Sequence, residues 1–317
     1  MATDGLTQAA LEALGAARTL VQEVGGPLSV VLAGPRLGEA PAQAIHAGAE
    51  TVFTVESPML EGGPPDALVA VAERAVNECS PWAVLGSKSP VGSDVVPRLA
   101  FRLGRALAQD CVSLALDSAG RLLATRPVHG GNIMATVACM RTPAVASLRP
   151  GAFAGPELDS SRQGHIESLD PCLDGVTVRA RVLERVEGAK EGVRLQDAAV
   201  VVGGGRGLGG PEAFQHLEEL ATMLRGAVGA SRAAADAGWV PAHYQIGLTG
   251  QTISPDLYIA VGISGASQHM AGCGGAKQIV AINSDLGANI FQRARLGVAG
   301  DWRKVLPAFI DQLRELL

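Results

Sequence analysis

The run from Leu257 to His269 constrains this chain more than any other. Leu257 to Val261 is a short, wholly apolar strand that leads straight into Gly262-Ile263-Ser264-Gly265-Ala266-Ser267-Gln268-His269. A strand that breaks into Gly and Ser and re-enters as a helix is an α/β unit, and its turn leaves backbone N–H groups that favour a phosphate or another anion. Just upstream lies Gln245-Ile246-Gly247-Leu248-Thr249-Gly250. Gln, Thr, Ser, Gln and His side chains thus fall within about one loop and one helical turn. Such a donor set suits a ligand rich in carbonyl and ring-nitrogen acceptors.

The rest of the chain repeats the strand-turn-helix theme. Thr7 is placed to cap a first helix whose Leu14, Ala17, Val21 and Val24 recur at helical spacing, and Gly25-Gly26-Pro27 ends it. Strands are predicted at Leu28 to Leu32, Thr51 to Val55 and Trp82 to Leu85, with helices over Asp66 to Val76 and from Ser93 through Leu107. Four β-rich runs follow, Val112 to Leu116, Leu122 to Thr125, Ile133 to Ala138 and Val145 to Leu148, expected to extend or edge the same sheet. The charged stretch with Glu187, Lys190, Glu191 and Arg194 separates these from a new strand, Ala198 to Val202. A domain boundary is therefore expected there, giving an N-terminal α/β domain over 1–187 and a second over 188–317. The second is predicted to hold a helix from Pro211 to Leu224, a strand at Gln278 to Ile282, and a last helix from Asp301 with Leu306, Phe309, Ile310 and Leu313 as its buried stripe. The fold class is α/β, in two domains with mostly parallel sheets. A chain of 317 residues also exceeds what one core usually fills.

Composition narrows the function. With 3% aromatic residues and a net charge of −5, the chain offers neither a base-stacking surface nor a basic footprint, so no nucleic-acid partner is expected. Cys79, Cys111, Cys139, Cys172 and Cys273 lie far apart and show no metal-ligand spacing, which favours buried thiols and no metal. The start, Met1-Ala2-Thr3-Asp4, has no basic and apolar leader, and no segment reaches the roughly 18 apolar residues needed to span a bilayer. A cytoplasmic protein without direct membrane insertion is expected. There is no G-x-S-x-G elbow and no close carboxylate pair beside a histidine, so no catalytic residue is assigned and the chemistry must come from a bound cofactor.

Three features admit two readings each. Gly205, Gly207 and Gly210, within Gly203 to Gly210, match G-x-G-x-x-G after a strand. They either approach a dinucleotide pyrophosphate or serve a tight turn, and the acid expected about 20 residues on is replaced by Ser231-Arg232. Arg232 either faces solvent or stabilises negative charge at N1 and O2 of a reduced flavin, which a guanidinium does without exchanging a proton. His269 either meets the same ligand or is satisfied by a backbone carbonyl.

Taken together, Gly204-Gly205-Arg206-Gly207-Leu208, Ala230-Ser231-Arg232, Gln245 to Gly250, Leu257 to Ala266 with Gln268-His269, and Ala281-Ile282-Asn283 with Asp285 resemble the alpha subunit of electron transfer flavoprotein. The first domain is similar more loosely, through Leu6 to Ala9, Gly92-Ser93-Asp94 with Pro97 to Ala100, Arg126-Pro127 with Gly131-Asn132, and Arg149-Pro150. The resemblance implies a Rossmann-like C-terminal domain holding one FAD, and a nucleotide-hydrolase-like N-terminal domain that serves as partner-facing scaffold. It also implies a heterodimer with a beta subunit that supplies half of the flavin cleft. Such a carrier takes electrons from acyl-CoA dehydrogenases of fatty acid β-oxidation, or from other dehydrogenases, and passes them to a quinone oxidoreductase or similar acceptor. The implied FAD contacts are Arg206, Ser231, Arg232, Gln245, Gly247, Leu248, Thr249, Gly262, Ser264, Gly265, Ala266, Gln268, His269, Asn283, Asp301 and Trp302. Among them Thr249 is placed at flavin N5, His269 at O2 and Arg232 beside the ring, with Asn283 and Asp301 toward the adenosine half.

The chain departs from the family pattern at Leu248, where Gln is usual, at Gln251, where Lys is common, and at Ser284, Leu286 and Asn289. Backbone contacts at Leu248 survive such a change and side-chain contacts do not. Two other functions remain open on sequence alone: an NAD(P)-dependent oxidoreductase using Gly205 to Gly210, and a nucleotide-binding regulatory module at Gly92-Ser93-Asp94.

Overall fold

The computed structural model describes residues 5–131, 133–171, 173–180, 182 and 193–316. Met1 to Asp4, Asn132, Cys172, Glu187, Lys190, Glu191 and the expected boundary at 187/188 lie outside them. The chain forms two compact units, Met1–Pro127 with Met134–Val186, and Val128–Ile133 with Glu187–Leu317.

The first unit opens with helix α1, Gln8–Val24, and Thr7 caps it by accepting from the Ala10 amide at 3.3 Å. Strand β1, Ser29–Gly34, helix α2, Ala40–His46, strand β2, Thr51–Glu56, helix α3, Pro65–Cys79, strand β3, Ala83–Ser87, and helix α4, Pro90–Arg102, follow. Helix α4 starts earlier and stops sooner than the spacing predicts. Ser89 accepts from the Gly92 amide as its cap, Gly104 turns the chain at φ +63°, and Leu107 begins strand β4, Leu107–Cys111. The β-rich region then divides. Strands β5, Ser113–Leu116, β6, Leu122–Val128, and β7, Ile133–Ala138, make a separate sheet, antiparallel between β5 and β6, rather than an extension of the parallel one. Strand β8, Ala144–Leu148, is instead fully buried between β3 and β4 in a parallel sheet, as its mostly apolar run favours, and Ser147 within it accepts from the Asp110 amide at 3.0 Å. A third sheet runs β1-β2-β9, with β9 at His165–Ser168.

The second unit is one parallel sheet. Strands β10, Val200–Gly204, β11, Ala227–Ala230, β12, Leu257–Val261, β13, Gln278–Asn283, and β14, Leu296–Ala299, lie in the order β11-β10-β12-β13-β14. Alternate residues of β12 supply two cores. Tyr258 and Ala260 pack with Ile246, Ile253, Met270 and Ile290 on one face, and Ile259 and Val261 pack with Leu217, Leu306 and Ile310 on the other. Helices α5, Phe214–Met223, and α8, Trp302–Leu316, cover the second face. Of the stripe expected on α8, Leu306 and Ile310 are buried, Leu313 packs at the margin, and Phe309 is exposed. Phe309 neighbours Ile310 in sequence, and on a 3.6-residue helix that step rotates it off the stripe. Helix α6, Arg232–Asp236, and helix α7, Ser267–Cys273, complete the unit, and the turn His129–Gly131 packs against α7.

Of the cysteines described, Cys111 and Cys273 are buried, Cys79 and Cys139 are half-buried, and all four are free thiols. Among the described residues no helix is long and apolar enough to cross a membrane, and no group of His, Cys, Asp or Glu could hold a metal ion.

Candidate functional site

In a parallel sheet every strand ends on the same edge, and here the ends are also in register. Gly204 pairs with Ala230 on one side and Val261 on the other, Val261 pairs with Ile282, and Asn283 pairs with Ala299. Five turns therefore leave one edge side by side. They carry Arg206 after β10, Ser231 and Arg232 after β11, Gly262 to Gln268 after β12, Asn283 at the end of β13, and Asp301 and Trp302 after β14. The strand order reverses between β10 and β12. In open α/β sheets a ligand binds beside such a switch point, outside the carboxyl ends of the strands.

The glycines after β10 serve that reversal directly. The Gly205 amide donates to the Val261 carbonyl at 2.9 Å and the Gly207 amide to the Gly262 carbonyl at 3.0 Å. A Cβ on Gly205 would collide with the Gly262 carbonyl, and Gly262 itself sits at φ +65°. These amides are engaged in joining two turns, so they do not cradle a pyrophosphate. The dinucleotide reading of Gly205 to Gly210 finds no support here, whereas the tight-turn reading accounts for each contact. In the first unit Gly92 answers to a similar need, since a Cβ there would strike the Ser87 carbonyl.

The turn after β12 is different. Among the described residues the amides of Ser264, Gly265 and Ala266 donate to no backbone carbonyl, while the Ser264 carbonyl accepts from Ile290 at 3.1 Å. Gly265 adopts φ +77° and lies hard against the Ile290 backbone, which leaves no room for a side chain. Asn283 holds this turn from behind. Its Nδ2 donates to the Ile263 carbonyl at 2.9 Å and its Oδ1 accepts from the Asp285 amide at 3.0 Å. Asn283 is thus buried, with its side-chain nitrogen and oxygen each engaged within the protein.

The Gln245 to Gly250 loop is fastened to α7. Leu248 donates to the Gln268 carbonyl at 2.7 Å, Ile253 to the Gly272 carbonyl at 2.7 Å, and a Cβ at Gly272 would strike Gly247. Thr249 is exposed at the tip, where its hydroxyl accepts from Gln245 Nε2 at 3.0 Å. Ser231 caps α6 through the Ala234 amide, and exposed Arg232 pairs with Asp236 at 3.2 Å. Asp301 accepts from the Arg303 amide at 3.0 Å at the start of α8. The neighbouring Trp302 carries Arg303 over its ring at 5.1 Å, and its indole N–H is buried without a partner among the described residues.

His269 departs from the picture of a ligand-facing imidazole. It is 7% exposed, Nδ1 lies 3.1 Å from the Ile246 carbonyl, and Nε2 lies 2.8 Å from the Tyr258 hydroxyl. A carbonyl only accepts, so Nδ1 carries the proton and Tyr258 donates to Nε2. Burial pulls the imidazole down to about 4, with the Ile246 hydrogen bond opposing, so the ring is neutral. Tyr258, fully buried and held protonated, was invisible to the sequence reading because a tyrosine in an apolar strand reads as core.

Known proteins resemble this chain over nearly its whole length. A profile described as electron transfer flavoprotein domain matches residues 2–174, and one described as electron transfer flavoprotein FAD-binding domain matches residues 194–274. The electron transfer flavoprotein subunit alpha of Thermoanaerobacterium thermosaccharolyticum is 39% identical over 312 residues, covering 98% of this chain and 94% of that one. The subunit of the same name from Bacillus subtilis is 38% identical, covering 98% and 94%. Protein FixB of Clostridium saccharobutylicum is 38% identical, covering 98% and 93%. The chain therefore belongs to the electron transfer flavoprotein alpha subunit family, electron carriers whose cofactor is FAD.

Proposed function

We propose that FAD lies along the carboxyl edge of the five-stranded sheet, and that this chain works with a beta subunit which closes the cleft. The observation that carries this reading is the register of the strand ends, which brings turns from β10 to β14 onto one edge. The residues present fit the group. The amides of Ser264 to Ala266, which donate to no backbone carbonyl among the described residues, suit phosphate oxygens; Gly247 and Gly262 shape the adjoining turns, their amides given to Gln251 and Ile282, and Arg206, Ser231, Gln268, Asp301 and Trp302 offer further polar groups along the edge. Gln245, Leu248 and Thr249 present one hydroxyl and one apolar side chain on a fastened loop. His269 and Asn283 act from behind, by holding the loops that carry the contacts.

Bound FAD supplies a ring that accepts electrons one or two at a time. The protein's part is to set how readily that happens. A guanidinium at Arg232 favours added negative charge without being consumed by a proton transfer, and its pairing with Asp236 moderates the effect. Leu248 and Leu286, 70% and 79% exposed on loops at the same edge, place apolar contacts where the beta subunit would seat. Dehydrogenases, among them the acyl-CoA dehydrogenases of fatty acid β-oxidation, would donate electrons, and a quinone oxidoreductase or similar protein would accept them. A cytoplasmic setting is consistent with the free thiols described.

The test is Arg232→Ala in the purified heterodimer, with the flavin potential measured by reductive titration. The potential of the first electron is expected to fall by about 60 mV, a tenfold loss in electron affinity. An unchanged potential would remove Arg232 from the ring's surroundings.

A further inference from the structure

A single buried hydrogen-bond path runs between the loops assigned to the cofactor. It starts at Tyr258 on β12, whose hydroxyl is 2.8 Å from His269 Nε2, and continues from His269 Nδ1 to the Ile246 carbonyl at 3.1 Å. The Ile246 amide in turn donates to the Ala230 carbonyl at 2.8 Å, immediately before Ser231 and Arg232. Three residues on the path, Tyr258, Ile246 and Ala230, are 0% exposed, and His269 is 7% exposed. Tyr258 can occupy this place only because Gly203 on the adjacent strand has no side chain, since a Cβ there would run into the phenol. The loop that bears Thr249 is thus joined to the turn that bears Arg232 by a backbone hydrogen bond, and to β12 through the imidazole.

We propose that Tyr258 is a positioning residue for the flavin site: by donating to His269 Nε2 it fixes the imidazole proton at Nδ1, and that proton holds Ile246 and the Thr249 loop against α7. This rests on the reading that FAD occupies the edge above. Without the hydroxyl, Nε2 would be a buried acceptor with no donor, and the tautomer with its proton on Nε2 would leave the Ile246 carbonyl unpaired instead. Each such loss leaves a desolvated polar group unpaired, which is enough to loosen a loop. Cys273, a further polar neighbour, turns its thiol to the His269 carbonyl at 3.5 Å and to Met270 rather than to the ring, so among the described residues no second donor to Nε2 is in place. The imidazole acts here as a neutral clasp, not as a cation.

The test uses heterodimer grown with nitrogen-labelled histidine, with the His269 signals assigned by their loss in His269→Gln. In the wild type Nδ1 should be protonated and Nε2 bare, unchanged between pH 8 and 5.5. In Tyr258→Phe, which removes one oxygen, the single tautomer should give way to a mixture, Nδ1–H exchange with solvent should quicken at least tenfold, and the complex should lose FAD at least tenfold faster on dialysis. A wild-type Nε2–H tautomer, an ordinary imidazole titration of His269, or a Tyr258→Phe protein with the wild-type nitrogen signature would each overturn the proposal. Flavin is counted in the same samples, so a flavin-free wild type would overturn the FAD reading while the nitrogen signature still decides the relay.

Discussion

Gly205→Ala is expected to strip the complex of its flavin while leaving the first unit folded. The added methyl would be 2.6 Å from the Gly262 carbonyl carbon and 2.7 Å from Ile263 Cα, so it meets backbone from which no side chain can swing away. The two turns that meet at the switch point must part, and with them go the hydrogen bonds from Gly205 to Val261 and from Gly207 to Gly262. Overpacking of this kind costs about 3 kcal/mol, at the upper end of its usual range. Retention of FAD should fall more than tenfold, because Arg206 and the Ser264 turn stand on either side of the displaced contact. Gly238→Asn is the control. Gly238 has φ +73° and open space around its Cβ, and asparagine tolerates that conformation, so stability and flavin content should change little. Calorimetry and a flavin count on both proteins settle the matter. A Gly205→Ala complex that melts and binds like the wild type would show that the turns have slack.

Acid should weaken the second unit earlier than its carboxylates would. His269 is neutral when folded, drawn to about 4 by burial, whereas in the unfolded chain it titrates near 6.5. Between those values the unfolded chain binds the proton and the folded chain does not, so unfolding gains free energy as pH falls. The contribution is complete above about pH 6.5 and is lost progressively toward pH 4, amounting to about 3 kcal/mol at the acid end. Tyr258 and Cys273, the titratable neighbours, are both held protonated by burial and add no charge in this window. Asp110 in the first unit behaves differently. Salt bridges from Arg149 at 2.7 Å and Lys88 at 3.0 Å hold it below the usual carboxylate range despite burial, so its contribution disappears only as pH falls below about 4. His269→Gln keeps a donor and an acceptor but cannot titrate. Chemical denaturation at pH 7 and 4.5 should therefore show a smaller loss for the variant than for the wild type. Equal losses would mean that His269 is charged or solvated in the folded state.

Much of this was legible in the sequence because local and global signals agreed. Thr7 caps α1 as expected, and the strand from Leu257 to Val261 occurs with those very bounds. What the sequence concealed followed from contacts between distant segments. The apolar run at Val145 to Leu148 does not say whether it edges a sheet or lies at its centre, since the answer depends on β3 and β4 flanking it. Leu107 follows a plausible helical stripe, but the turn at Gly104 ends the helix and makes Leu107 the first residue of a strand. The glycines after β10 fit a phosphate turn and a packing turn equally well until Gly262 is seen to face them. His269 reads from the sequence as a carbonyl-satisfied histidine or a ligand contact, with its place beyond Ser264 favouring the ligand; its contacts with Tyr258 and the Ile246 carbonyl come from segments that sequence spacing does not bring together.

The measurement that bears most directly on the central claim is hydrogen exchange of the heterodimer with and without FAD, read peptide by peptide. Adding FAD should slow exchange at residues 205–208, 231–233, 247–250, 263–269 and 283–285, the turns leaving the carboxyl edge of the second sheet. Protection confined to the first unit, or absent from these turns while FAD is bound, would contradict the claim that this edge holds the cofactor.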